Sequence, residues 1–281
     1  MPKPPEPARL GIIAGGGALP RRLAEAAAAL GRKPLVVAIA GAVEPATLAC
    51  FEHVSLDIAA VGKLVDTFRD AGIRDLVLAG GLKRPNFSEL RPDWRGLKLL
   101  PRVVVAARRG DDALLTTLVG YLEEEGFCVL GADDVLGELL APEGLIGTLA
   151  PTPEQARDVA RAAEVALALG RLDIGQAAIV RDGQVLGVEA AEGTDALIER
   201  CGALQPAGRG GVLAKLAKPG QERRVDLPTI GTRTVALAAA SRLAGIAIEA
   251  GGALILDRPA VAAAADAAGL FVLGIVRPGG A

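Results

Sequence analysis

The chain has 281 residues, and at about 150 residues per domain that length predicts two domains. Hydrophobic residues make up 51% and the mean hydropathy is +0.38, which supports packed cores and excludes a disordered chain. The 31 basic and 33 acidic residues leave a net charge of −2, and aromatics are 2%, so a basic surface interleaved with stacking rings, and with it nucleic-acid binding, is disfavoured.

The longest charge-free run, Leu10 to Pro20, is eleven residues, short of the roughly 18 that a membrane span needs. The Pro-rich stretch from Met1 to Arg9 is not expected to be a signal peptide. Cys50, Cys128 and Cys201 are too far apart for a disulfide framework or a zinc set, which suits a reducing cytoplasm. His53 is the single histidine. That excludes His₃ zinc sites, HExxH enzymes and phosphatases built on several His ligands. A Ser-His-Asp triad could use only His53, which reads better as an ordinary edge or surface histidine. Any metal would be held by oxygens, pointing to Mg²⁺ or Mn²⁺.

In chain order, Leu10 to Ala14 is a short buried strand and Gly15 to Gly17 a turn. An Ala-rich helix over Arg21 to Leu30 follows, with Pro20 in its first turn. Strands are expected over Pro34 to Ala40, Asp75 to Ala79 and Phe127 to Leu130, with helices over Ala59 to Ala71 and Asp111 to Glu125. This alternation predicts a parallel sheet with helices on both faces over residues 1–140. Pro142, Gly144, Gly147, Pro151 and Pro153 make 141–153 the best linker. Residues 154–281 read as a distinct mixed α/β domain. They hold a helix over Glu154 to Gly170 and a hairpin turning at Arg181-Asp182-Gly183. A helix is expected over Thr194 to Cys201 and a strand over Gly211 to Ala217. The rest is a helix over Thr234 to Leu243, a strand over Ala253 to Leu256, a helix over Pro259 to Ala268 and a strand over Phe271 to Val276.

Gly15, Gly16 and Gly17 join a strand to a helix, where backbone N–H groups can cradle an anion. The dinucleotide fingerprint fails twice: Pro20 replaces its third glycine, and Ala40-Gly41 ends the second strand without an acid, which disfavours NAD. Gly81 and Lys83, in a Gly-Gly-Leu-Lys-Arg loop, are either a phosphate contact or a solvated loop. Asp111 and Asp112 are either helix caps or ligands, and capping is the fuller explanation. Asp226 lies in an irregular loop before Pro228 and Gly231, as a cap or a site residue. Asp173, Glu189, Glu192 and Asp195 supply further carboxylates, and Lys215 and Lys218 supply cations. Together they suit metal-assisted phosphoryl chemistry, with Thr194 and Thr229 orienting phosphate oxygens.

Several stretches match a known pattern: residues 11–20 (GIIAGGGALP), 96–101 (GLKLLP), 106–115 (AARRGDDALL), 170–176 (GRLDIGQ), 188–196 (VEAAEGTDA), 211–215 (GVLAK), 224–231 (RVDLPTIG) and 271–274 (FVLG). On these the sequence resembles the LpxI family of UDP-2,3-diacylglucosamine diphosphatases, across nearly the whole chain. The resemblance implies hydrolysis of UDP-2,3-diacylglucosamine to UMP and 2,3-diacylglucosamine 1-phosphate in lipid A synthesis of Gram-negative bacteria. It implies a Rossmann-like N-terminal domain, a distinct C-terminal α/β domain and a lipid-linked UDP-sugar bound between them, with a Mg²⁺ (or Mn²⁺) requirement, work at the inner membrane surface and a homodimer. The family's essential Asp falls on Asp226. The expected catalytic set is Asp226, Lys215 and Asp195, with Asp226, Glu189, Glu192 and Asp173 at the metal. Gly15, Gly16, Gly17, Gly81, Lys83, Asp111, Asp112, Gln176, Thr194, Lys218, Gln221 and Thr229 are expected at the substrate. The rival from another class is a non-catalytic nucleotide-sugar binding protein.

Overall fold

The computed structural model describes residues 8–43, 45–82, 90–204 and 208–279. Contacts divide the chain into two compact units: Met1–Gly137 with Glu222–Asp226, and Glu138–Gln221 with Leu227–Ala281.

Unit 1 runs β1 (Leu10–Ala14), α1 (Leu19–Ala29), β2 (Pro34–Ile39), β3 (Glu52–Leu56), α2 (Val61–Asp70), β4 (Asp75–Ala79), α3 (Trp94–Ala107), α4 (Asp111–Glu124), β5 (Cys128–Leu130) and the one-turn α5 (Ala132–Val135). Its strands form one parallel sheet in the order β3-β2-β1-β4-β5. This is the doubly wound order, and its reversal lies between β1 and β4. The central strands are buried along their length, which is why they read as unbroken apolar runs rather than as alternation. Phe68 of α2 and Phe127 pack edge to face in the core beneath.

Unit 2 holds β6 (Gly144–Leu145), α6 (Pro153–Arg171), β7 (Ala177–Arg181), β8 (Gln184–Val188), α7 (Gly193–Leu204), β9 (Val212–Lys215), β10 (Thr229–Ile230), α8 (Thr232–Ala240), β11 (Gly245–Glu249), β12 (Leu254–Ile255), α9 (Arg258–Ala268) and β13 (Phe271–Ile275). The sheet order is β6-β13-β11-β9-β7-β8, with β9, β11 and β13 parallel and the outer pairings antiparallel. β10 and β12 pair separately in parallel. Ile246 and Ile248 enter one core while Ala247 between them enters the other, so the sheet is covered on both faces.

Local chemistry sets several ends. Thr152 and Gln155 form a reciprocal capping box at α6, with Pro153 next. Asp182 and Gly183 both have positive φ, 52° and 78°, which fits the two-residue hairpin turn between β7 and β8. The stretch 141–153, expected as a linker, belongs to unit 2 and carries β6, an edge strand on β13. Asp226, expected with the C-terminal domain, groups with unit 1.

Candidate functional site

The sheet reversal in unit 1 brings two glycine loops together. Gly15 donates to Ala79 at 2.7 Å, Gly16 to Gly81 at 2.8 Å, and Gly81 back to Gly16 at 3.1 Å. The backbone N–H groups of Gly15, Gly16 and Gly81 thus donate to protein carbonyls. A Cβ on Gly15 would lie 2.6 Å from the Gly80 carbonyl oxygen, so close crossing of two backbones explains the glycine. Gly17, with φ +94° and open space around its Cα, is the exposed member. Lys83 lies outside the described residues.

The N-cap of α4 is Gly110, not an aspartate; Asp111 and Asp112 occupy the first helical turn, where negative charge suits the positive helix end. Asp112 instead accepts the backbone N–H of Glu222 at 2.8 Å. Glu222 is gripped by Arg224, Nε to Oε1 and Nη2 to Oε2 both at 2.8 Å, and Arg224 also reaches Glu123. The Arg224 guanidinium holds the Glu222 carboxyl below the usual carboxylate range. Val225 packs on the unit 1 core. Asp226 closes the turn, its N–H donating to the Glu222 carbonyl, and it is half-buried.

In unit 2 the expected residues form three groups around the carboxyl end of β9 and the start of β7. Glu189 is 6% exposed, accepting the Gln176 N–H at 2.9 Å and the Thr194 hydroxyl at 2.6 Å. Gln176 Oε1 is buried with no hydrogen-bond partner among the described residues. Lys218 pairs with Asp173 at 2.7 Å, and its backbone N–H donates to buried Gln221. The buried Lys215 ammonium donates to the Thr229 carbonyl at 3.1 Å, and Thr229 in turn donates its hydroxyl to Leu227. Asp195 sits on α7 paired with Arg233, apart from these contacts. Glu192 is exposed; its own backbone N–H and Arg200 hold its carboxyl below the usual range.

Of the acids expected at a metal, Asp173, Glu189 and Glu192 in unit 2 each accept protein donors. Among the described residues no group of three or more His, Cys, Asp or Glu side chains is placed to hold a metal ion. His53 lies on edge strand β3, its Nδ1 2.9 Å from the Phe51 carbonyl. The pattern missed Glu249 and Arg277. Buried Glu249 ends β11, accepts the Ala217 N–H and takes a two-point pair from Arg277. A lone acid ending the run Ile246-Ala-Ile-Glu249 was its signal. Unit 1 also holds an apolar cavity of about 100 Å³ lined by Ile58, Val61, Leu99, Leu100, Val103 and Leu118.

Residues 9–139 match the LpxI N-terminal domain and residues 142–273 the LpxI C-terminal domain. The chain belongs to the LpxI family. It is 49% identical over 273 residues to the UDP-2,3-diacylglucosamine pyrophosphatase LpxI of Caulobacter vibrioides, covering 95% of this chain and 97% of the relative. Among solved structures, CobK precorrin-6A reductase aligns over 97% of this chain and 89% of its own. That alignment has 14% identity and a TM-score of 0.33, too low to carry an argument. The LpxI match thus spans both units, including the segment that bears Asp226.

Proposed function

We propose that this chain hydrolyses the pyrophosphate of UDP-2,3-diacylglucosamine to UMP and 2,3-diacylglucosamine 1-phosphate, a step of lipid A synthesis. One observation carries this: 49% identity over nearly the full length of both chains to a pyrophosphatase of that substrate. In the reaction, water oxygen bonds to one phosphorus and the bond from that phosphorus to the bridging oxygen breaks. The bridging oxygen stays on the other phosphate, and the protons of water pass to the products and solvent.

Asp226 is the proposed central acid, because the resemblance places the family's essential acid there, and its N–H closes the turn on the Glu222 carbonyl. Lys215 is the proposed charge-stabilising cation, being buried at the carboxyl end of a parallel strand, where open α/β sheets bind ligands. Gln176 Oε1 offers a buried acceptor to the substrate. The role of Asp195 rests on its motif alone. Dependence on Mg²⁺ or Mn²⁺ follows the resemblance; such an ion uses one or two carboxylates plus substrate phosphates, so it needs no cage of three acids. The apolar cavity in unit 1 suits the end of an acyl chain. Cytoplasmic location, peripheral association with the inner membrane and a homodimer complete the proposal. No helix among the described residues is long and apolar enough to cross a membrane.

The test is UMP release from UDP-2,3-diacylglucosamine with Mg²⁺, with EDTA, and with Asp226→Ala. Release that needs the metal and collapses in the variant supports the reading. A wild-type protein that binds the nucleotide sugar yet makes no UMP at any metal concentration overturns it and leaves a non-catalytic binding protein.

A further inference from the structure

The outer face of α3 mixes apolar and basic side chains in a way its buried face does not. Gly96, Leu99, Ala106 and Ala107 turn inward. Outward, at spacings that fall on one side of a helix of about 100° per residue, come Trp94, Leu97, Pro101 and Val105. Trp94 is 69% exposed, Leu97 52% and Val105 55%, so three large apolar side chains in four turns face water.

The charge on this stretch is segregated too. From Arg91 to Arg109 there are six basic residues and one acid, in a chain whose net charge is −2. The one acid, Asp93, is turned into backbone donors of Gly62, Lys63 and Gly96. Arg95 and Arg102 are paired with Glu125 and Glu124. Arg91, Lys98, Arg108 and Arg109 are exposed, and no ion pair involves them among the described residues. The Lys98 ammonium lies 5.0 Å from the centre of the Trp94 ring. Beside the face runs an open groove between α3 and α4, flanked by Arg102, Arg109, Thr116 and Thr117.

We propose that the outer face of α3 is the surface by which this protein docks on an anionic lipid bilayer, with Trp94, Leu97 and Val105 seated at the headgroup level and Lys98, Arg108 and Arg109 on lipid phosphates. An interfacial helix combines these features: an apolar stripe, an aromatic ring and flanking cations. Charge selects lipid over a second copy of the chain. A two-fold contact sets the same patch against itself and would crowd the cations of one copy against those of the other. Anionic headgroups neutralise them instead. The inference rests on the proposed lipid-linked substrate, which must be drawn from a membrane, and it supplies the surface on which that happens.

Trp94 is the only tryptophan, so selectively excited tryptophan fluorescence reports on this helix alone. The full chain is mixed with vesicles of phosphatidylcholine, and with vesicles of equal parts phosphatidylcholine and phosphatidylglycerol. Expected are co-sedimentation and a blue-shifted Trp94 emission with the anionic vesicles only, both reversed by high salt. The combined variant Leu97→Glu, Lys98→Glu, Val105→Glu is expected to weaken vesicle binding by about tenfold or more. It should keep its UMP release from detergent-dispersed substrate. Wild-type protein that ignores anionic vesicles, or a variant that binds them equally well, overturns the proposal. So does a lipid-free blue shift that grows with protein concentration and disappears with the variant's dimer, which would give the face to a second copy. Absent UMP release from dispersed substrate would fail the enzyme reading alone, and vesicle binding would still judge the helix.

Discussion

The side chain of Asp112 accepts the backbone N–H of Glu222 at 2.8 Å, across 110 positions of sequence. This bond ties the turn that ends in Asp226 to the first turn of α4. Asp112→Ala removes the acceptor and leaves a half-buried N–H without its partner, at a cost of about 1 kcal/mol. Because Asp226 closes the same turn, kcat/KM for UMP release should fall about tenfold through misplacement. Asp112→Asn keeps an oxygen at the same place and should restore both. Urea unfolding and steady-state kinetics check this. An Asn variant as inactive as Ala, with stability intact, would mean that the carboxylate charge itself meets the substrate.

The two-point pair between Arg224 and Glu222 makes stability depend on acid. The Arg224 hydrogen bonds hold the folded Glu222 carboxyl below its ordinary value of 4.5, against the opposing effect of burial. The unfolded chain therefore takes up the proton first as pH falls. The pair contributes fully above about pH 4.5 and is lost as pH drops through the depressed folded value. Glu222→Gln should be less stable than wild type at neutral pH, and the two melting temperatures should converge in acid. Thermal unfolding from neutral to acid pH measures the gap, and a gap that does not narrow would rule the pair out as its source.

What was legible in the sequence follows from where each element takes its stability. β4 over Asp75–Ala79 and the hairpin turn at Asp182 and Gly183 are set by local pattern, and they fall where the residues place them. α3 has no clear helical pattern in the sequence because Gly96 and Pro101 both break it. Pro101 is tolerated because it sits on the exposed face, where water can satisfy the carbonyl it leaves free. β11 was lost for the opposite reason: buried on both faces, Gly245–Glu249 shows no alternation to separate strand from helix. The grouping of Glu222–Asp226 with unit 1 depends on Asp112, Glu123 and the core around Val225. No short-range pattern encodes such distant partners, and the same holds for the bonded N–H groups of Gly15 and Gly16.

Those two glycine loops can be separated by substitution. Gly15→Ala would set a Cβ 2.6 Å from the Gly80 carbonyl oxygen and 2.8 Å from that of Gly81. Both neighbours are backbone in a sheet crossing, so relief needs strand movement, costing about 3 kcal/mol. Gly17→Ala meets nothing within 4 Å but keeps a φ of +94°, a strain of about 1 kcal/mol. Chemical denaturation of both variants should show this order. Equal losses at the two positions would mean that backbone conformation, not close approach, sets the requirement.

Glu189 separates a structural carboxylate from a metal ligand. Its Oε2 takes the Gln176 N–H at 2.9 Å and its Oε1 the Thr194 hydroxyl at 2.6 Å, with 6% of the residue exposed. Glu189→Gln keeps an oxygen for the Gln176 N–H but loses the charge, and the Thr194 hydroxyl must turn from donor to acceptor, which should destabilise by about 1 kcal/mol. Thr194→Val removes the hydroxyl donor, so the double variant should lose less than the two singles combined. With its carboxylate holding the Gln176 N–H and the Thr194 hydroxyl, Glu189→Gln should leave the Mg²⁺ concentration giving half-maximal UMP release unchanged. Urea unfolding of the four proteins and a metal titration of the enzyme decide it. A raised Mg²⁺ midpoint with unchanged stability would return this carboxylate to the metal.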